Sequence, residues 1–582
     1  MELARMRHGA VRVGTRALLL GCSVLALSSV AANAADPSFG PNVTILDPGM
    51  SAAAVQGALN AASQEAQFSS NRTAILFKPG TYNVDAQLGY YEAVAGLGAT
   101  PGGVVINGGL RAEAPLDPGG NTDNATQVFW RSEENVTIAP TGGSTRWAVS
   151  QGCAFRRMHI EGQISLAGAK YGWASGGFIA DSLFDGQVGP YSQQQWYTRN
   201  SVLNGWTNAV WNMVFSGVTG APAQSFPNPP YTTLAATPVS REKPFLFVDG
   251  SGNWNVFSPA ARRNSSGIDW SGGLPAGRTL PIARFFIAQP STPVASINQA
   301  LSSGLNLILT PGIYRYSSAI HVTAADTVVL GLGYATLVPQ NGNAALLVDD
   351  VGGVQLAGLL VDAGPVNSPV LVQLGGSGAG TSHSADPGSV SDVFFRIGGA
   401  TAGSATTSLA VNSDDVILDN IWAWRADHGN GIGWTNNTAA HGLTVAGDRV
   451  TALGLAVEHY QQNQVLWQGQ NGETVFYQSE LPYDVPSQAA WKNGNANGYA
   501  SYAVGGGVTS HQAYGLGVYS YFDQGVAITE DSAISVPNAS GVAIHDAATV
   551  LLNGSGQITH IVNGSGAAAR TAGQEETLNS YP

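Results

Sequence analysis

Apolar residues come in short runs along this chain, each closed by Gly, Asn or Asp. NVTIAP, MHIEG and FIADSLFDG mark the first half; TVVLGLG, GVQLAGLLVDAG, DDVILDNIWAW and HGLTVAGDRVTALGL mark the second. No convincing amphipathic helix separates them. Continuous apolar runs at near-regular spacing predict strands stacked in register, with inward side chains in columns, as in a right-handed parallel β-helix. A β-sandwich also has short strands, but it favours hairpin turns with alternating polarity around them. The expected fold class is therefore all-β.

The same opening occurs twice. The Ala-rich stretch SAAAVQGALNAASQ leads into the strand and turn AILFKPGTYNV, and ASINQALSSG leads into NLILTPGIYRY. In both, an apolar strand ends at Pro-Gly and restarts with Tyr82 or Tyr314. Pro79 and Pro311 lie a domain-sized 232 residues apart. Two tandem right-handed parallel β-helices follow, at 35–285 and 286–582. Residues 216–285 interrupt the ladder with FPNPPY, VSREKP and PAARRNSSG and read as an irregular linker. The segment after Gly564 reads as poorly ordered.

Composition agrees: 74 glycines and only 11% charged residues in 582 suit many short strands and tight turns. A net charge of −13 argues against nucleic acid, an anionic membrane surface or a strongly acidic polysaccharide as partner. The N-terminus has an export pattern: Arg5, Arg7, Arg12 and Arg16, a short apolar core, then Ala32-Asn33-Ala34, predicting a mature start at Ala35 and a secreted protein. Leu19-Leu20-Gly21-Cys22 has the form of a lipoprotein box, but few apolar residues precede it. Cleavage after 34 leaves Cys153 as the single cysteine, expected as a small buried residue.

No Walker loop, HExxH, CxxC or G-x-S-x-G elbow occurs. The candidate chemistry is carboxylates beside aromatics and amides. Glu458 and Glu480 are 22 residues apart, one coil of a solenoid, in VEHYQQNQVLWQGQNGETVFYQSELPYD. Asp427 precedes Glu458 by 31 residues, a coil with a longer loop. Acids stacked on successive coils repel and raise at least one pKa, which suits a general acid. Trp424, Tyr460 and Tyr483 beside them offer faces for sugar rings, with Trp422 and Trp424 as core residues the alternative.

The strings Ala426-Asp427-His428, Glu458-His459 and Gln478-Ser479-Glu480-Leu481-Pro482-Tyr483 resemble the pattern of glycoside hydrolase family 55. Those are β-1,3-glucanases built from two β-helices facing each other like a rib cage. SGGFIADSLFDGQVGPYSQQQWYTRN is similar to that family's Gly-rich strand and following Gln-Gln segment. Gln151 precedes Ser175 by 24 residues, the spacing of its water-holding pair. Ser479, Leu481 and Asp484 depart from the usual two threonines and second tyrosine. The resemblance implies Glu480 as general acid, with Gln151, Ser175 and Glu458 holding the attacking water. It implies Asp427 binding sugar hydroxyls at the non-reducing end, with His428, Gln194, Gln195, Trp424, Tyr460 and Tyr483 as further substrate contacts. It also implies a monomeric, exo-acting, inverting hydrolase of a laminarin-like β-glucan, without cofactor or metal. A coil spacing of about 5 Å on its own favours the closer carboxylates of retaining enzymes. Two rivals remain: a polysaccharide lyase on the same fold, with Arg425 neutralising a uronate, and a β-helix that only binds polysaccharide.

Overall fold

Strands buried on both faces satisfy their backbone groups only by pairing with the coil above and the coil below, and that is how the apolar runs pack. The structure, a computed structural model, describes residues 36–582; the export pattern at 1–34 and Cys22 lie outside them. In the first half a nine-stranded sheet runs from Val43–Leu46 to Tyr231–Leu234, parallel throughout, with a six-stranded and a three-stranded sheet on the other sides of the coils. The second half repeats this with a twelve-stranded and an eight-stranded sheet. Each stack encloses its own core, Val94, Ile106, Ile138, Phe155 and Ile179 in one and Leu356, Val393, Ile421, Leu455 and Tyr477 in the other.

The duplicated opening forms the same cap twice. Helix α1 (Ala52–Ala62) buries Val55 and Leu59 at the end of the first core, and α2 (Val294–Ser302) buries Ile297, Ala300 and Leu301 at the end of the second. The hydroxyl of Tyr82 is shared between the carbonyls of Leu46 and Lys78, and that of Tyr314 between Ala288 and Thr310. A buried tyrosine hydroxyl needs a partner, and the two open carbonyls at each turn supply it.

The site is positioned by six strands of the second stack: β1 (Ser389–Ile397), β2 (Ile417–Arg425), β3 (Thr451–Glu458), β4 (Gly472–Glu480), β5 (Ser510–Phe522) and β6 (Gly541–Gly554). One residue in each, Asp392, Asn420, Gly454, Phe476, Gly515 and Asp546, has φ between 51° and 74° and drops out of the pairing register. This left-handed step bends every strand at the same height, so one end faces the first β-helix along a common edge. Gly454 is glycine for a second reason: a Cβ there would lie 3.0 Å from Phe178 and Tyr197 of the first β-helix.

Between the stacks lies a buried charge network. Arg156 grips Asp392 and Asp419, and Arg199 grips Asp419 and Glu242, all at 3% exposure or less. The segment expected as an irregular linker is corrected by this network and by regular pairing. Thr237–Ser240 pairs antiparallel with Arg262–Ser265, and Phe245–Val248, Trp254–Pro259 and Gly277–Pro281 form a three-stranded antiparallel sheet. Within the charged stretch VSREKP, Glu242 is buried against Arg199, and Lys243, largely buried, pairs with Glu134 and Asp392. The segment after Gly564 is likewise ordered: Gln574–Tyr581 pairs antiparallel with β6 and closes that edge.

Candidate active site

Register alone builds a ladder along the bent edge: Arg396, Trp424, Glu458, Glu480 and Tyr519 are successive pairing partners on β1 to β5. Glu458 and Glu480 are thus direct neighbours on adjacent coils. Their side chains are held by different partners. Trp422 Nε1, on the preceding coil, donates to Glu458 Oε2 at 2.8 Å, while the Tyr483 hydroxyl donates to Glu480 Oε2. Glu480 keeps 16% side-chain exposure; Glu458 is 4% exposed. Burial pushes both carboxyls above the ordinary range, and the charge of Glu480 pushes Glu458 further. Beside Glu480, His459 and the Tyr483 hydroxyl work the other way.

The first β-helix supplies the opposite wall. Gln151 Nε2 donates to Glu458 Oε1 at 2.9 Å, across 307 residues of sequence. The hydroxyls of Ser150 and Ser175 lie against each other and converge on Gln151 Oε1, Ser175 at 3.0 Å. These contacts fix the amide's orientation, and its second N–H is left for the cleft. Below this wall Gln195 is buried and its amide donates to the Ser175 carbonyl, so it supports Ser175 and does not reach the cleft. That corrects the expectation of a substrate contact; Gln194, its neighbour on the alternate face, does line the cleft.

The cleft holds about 380 Å³ and is lined by Gln151, Ser175, Trp424, Asp427, Glu458 and Glu480, with His428 and Tyr483 beside them. It runs from the loop after β2 to Leu552 and Asn553 at the end of β6, four coil steps or about 19 Å. His428 Nδ1 lies 2.8 Å from Asp427 Oδ1. Partial desolvation opposes ionisation of Asp427, but the His428 bond and nearby His459 outweigh it and hold the carboxyl down to about 2. Trp424 is 1% exposed in a cluster with Phe129, Trp130 and Trp422, so little of it reaches the cleft.

Tyr460 is a correction. It is fully buried in the second core, its hydroxyl 2.6 Å from Ser408. The left-handed His459, φ 66°, turns the backbone after Glu458 and sends Tyr460 inward. Arg425 also faces away, paired with Asp484 at 2.7 Å. Three participants escaped sequence reasoning: Ser150, the indole N–H of Trp422, and Trp173, which lines the cleft at 63% exposure. Trp173 carries a usable signal, an indole in a polar Gly-rich turn. Among the described residues no group of three or more His, Cys, Asp or Glu side chains is arranged to hold a metal.

Comparison with known proteins gives consistent matches. The LAM55 pectate lyase-like domain matches residues 285–480. An exo-beta-1,3-glucanase of Streptomyces sp. (strain SirexAA-E / ActE) is 52% identical over 531 residues, 90% of this chain and 87% of that one. The structure of sacteLam55A from Streptomyces sp. SirexAA-E superposes with a TM-score of 0.91 at 50% identity, over 94% of this chain and 99% of that one. A variant of that protein in complex with glucose superposes with a TM-score of 0.89 at 49% identity.

Proposed function

This chain belongs to glycoside hydrolase family 55, and on that premise we propose that it releases glucose from the non-reducing end of β-1,3-glucan, with inversion, using Glu480 as general acid. It is a glycoside hydrolase with a pectate lyase-like fold. The observation that carries the finer reading is the Gln151–Glu458 bond, which joins the two β-helices directly beside Glu480.

Burial and the charge of Glu480 push Glu458 the further of the two. Against this stand two short, fixed N–H donors on Glu458, whereas the Gln478 N–H reaches Glu480 only at 3.4 Å. On that geometry we place the shared proton on Glu480. Glu480 then protonates the glycosidic oxygen as the bond to C1 breaks. A water held by Glu458, the free Gln151 N–H and Ser175 attacks C1 from the opposite face, and Glu458 takes its proton. Inversion rests on the family resemblance, and the two carboxylates have separate anchors in Trp422 and Tyr483. Exo action is supported by the end of the cleft at Asp427, where Phe68 stacks on Trp424 at 6.5 Å and Gln67 meets His428.

Arg425 is buried and paired with Asp484, which counts against a lyase, since that needs a free cation at the substrate carboxylate. The test is incubation with laminarin-oligosaccharides followed by proton NMR. Glucose appearing first as the α-anomer is expected. The β-anomer overturns inversion, internal products overturn exo action, and absorbance at 235 nm from pectate with no glucose from laminarin overturns the hydrolase reading. The export pattern supports action outside the cytoplasm, and N-terminal sequencing of the mature protein should begin at Ala35; a start at Met1 refutes it.

A further inference from the structure

The end wall of the cleft is held from the other β-helix. Residues 63–72, following α1, reach the loop after β2, where Gln67 Nε2 lies 2.7 Å from His428 Nε2, across 361 residues of sequence. An ionised Asp427 can only accept, so the proton of its bond with His428 sits on Nδ1. A neutral imidazole then has its lone pair on Nε2, and the Gln67 amide meets it as donor.

Gln67 is itself anchored. Its carbonyl accepts from the Tyr91 hydroxyl, and that hydroxyl accepts from Arg396 Nη1 at 2.6 Å. Arg396 holds Asp362 with two bonds of 2.9 and 2.7 Å. Phe68 packs on Gly399 and Gly429, where a Cβ would come within 3.0 and 2.7 Å of the ring. Close packing over both glycines gives the segment a single seat.

We propose that Gln67 is a positioning residue for the terminal-sugar subsite: it fixes His428 as the Nδ1–H tautomer in one ring orientation, which occupies one Asp427 oxygen and turns the other toward sugar hydroxyls. The proposal rests on the reading of Asp427 given above. Gln67 is not among the residues lining the cleft, so its influence passes through His428. Hydroxyls on the side of the terminal ring away from C1 carry little of the charge that develops there. A contact to them counts nearly equally in ground state and transition state, so loosening it raises KM more than it lowers kcat.

Two variants test this. Gln67→Leu keeps the volume and removes the donor; Gln67→Glu keeps the reach but offers an acceptor, which demands a proton on Nε2. Nitrogen-15 NMR of histidine-labelled enzyme without substrate reads the tautomer, with the His428 signal identified by its loss in His428→Gln. The wild type should show Nδ1–H alone, Gln67→Leu a tautomer mixture, and Gln67→Glu both nitrogens protonated. On laminaritriose Gln67→Leu should raise KM about tenfold with kcat within about twofold, the scale of one hydrogen bond. A wild-type ring protonated on Nε2, or a Gln67→Leu enzyme with unchanged tautomer, overturns the proposal, as does a fall in kcat at constant KM. A wild type that leaves laminarin-oligosaccharides intact brings down the glucanase reading, while the NMR arm still decides the role of Gln67.

Discussion

Replacing Glu480 by Gln removes one proton donor and little else. The amide keeps the carboxyl's volume at a site with 16% exposure, and it retains an oxygen for the Tyr483 hydroxyl. It leaves a neutral group beside Glu458, the neighbour in register, as the protonated acid does, so the melting temperature should not fall. Loss of general acid catalysis should lower kcat on laminarin about 10²- to 10⁴-fold, or about 2.7–5.4 kcal/mol in the barrier. An aryl β-glucoside with an acidic phenol needs little protonation, so its loss should be much smaller. The pH profile adds a second readout. In the wild type the alkaline limb reports loss of the Glu480 proton, and Gln has no such proton to lose. That limb should therefore vanish from the residual activity, while the acidic limb set by Glu458 remains. Steady-state kinetics on both substrates across pH 4–8 decide the matter. Near-native kcat on laminarin, or equal losses on both substrates, would refute the assignment.

Burial lifts the Glu92 carboxyl inside the first β-helix to about 8 from the usual 4.5. The folded state therefore binds more protons than the unfolded one in that window, and stability declines as pH rises through it, by up to about 1.4 kcal/mol per pH unit. Denaturant titrations of Glu92→Gln should lose that slope; an unchanged slope rejects the reasoning. Asp419→Ala should cost about 3–5 kcal/mol, because it leaves two buried arginines with one carboxylate each, Arg156 with Asp392 and Arg199 with Glu242; a loss below about 1 kcal/mol in urea unfolding would contradict it. Gly454→Ala should cost about 1–3 kcal/mol from its φ of 74° and the crowding against Phe178 and Tyr197, checked the same way.

What the sequence determined by itself was everything that repeats locally. A solenoid coil is a short-range period, so apolar runs predict stacked strands, and a 22-residue spacing puts Glu458 beside Glu480 with no further information. The twin Pro-Gly-Tyr openings were legible as a repeat for the same reason. Side-chain direction at the coil's bend was not legible, because one left-handed residue reverses it: His459 sends Tyr460 into the core two positions after a carboxylate in the cleft. The Pro-rich and charged stretches of 216–285 read as an irregular linker, whereas Glu242 and Lys243 pack inside because partners from distant coils neutralise them. Only the tertiary structure could decide the contacts of Gln151 with Glu458 and of Gln67 with His428. They join residues 307 and 361 positions apart through the packing of one β-helix on the other, and no local pattern encodes which rung meets which.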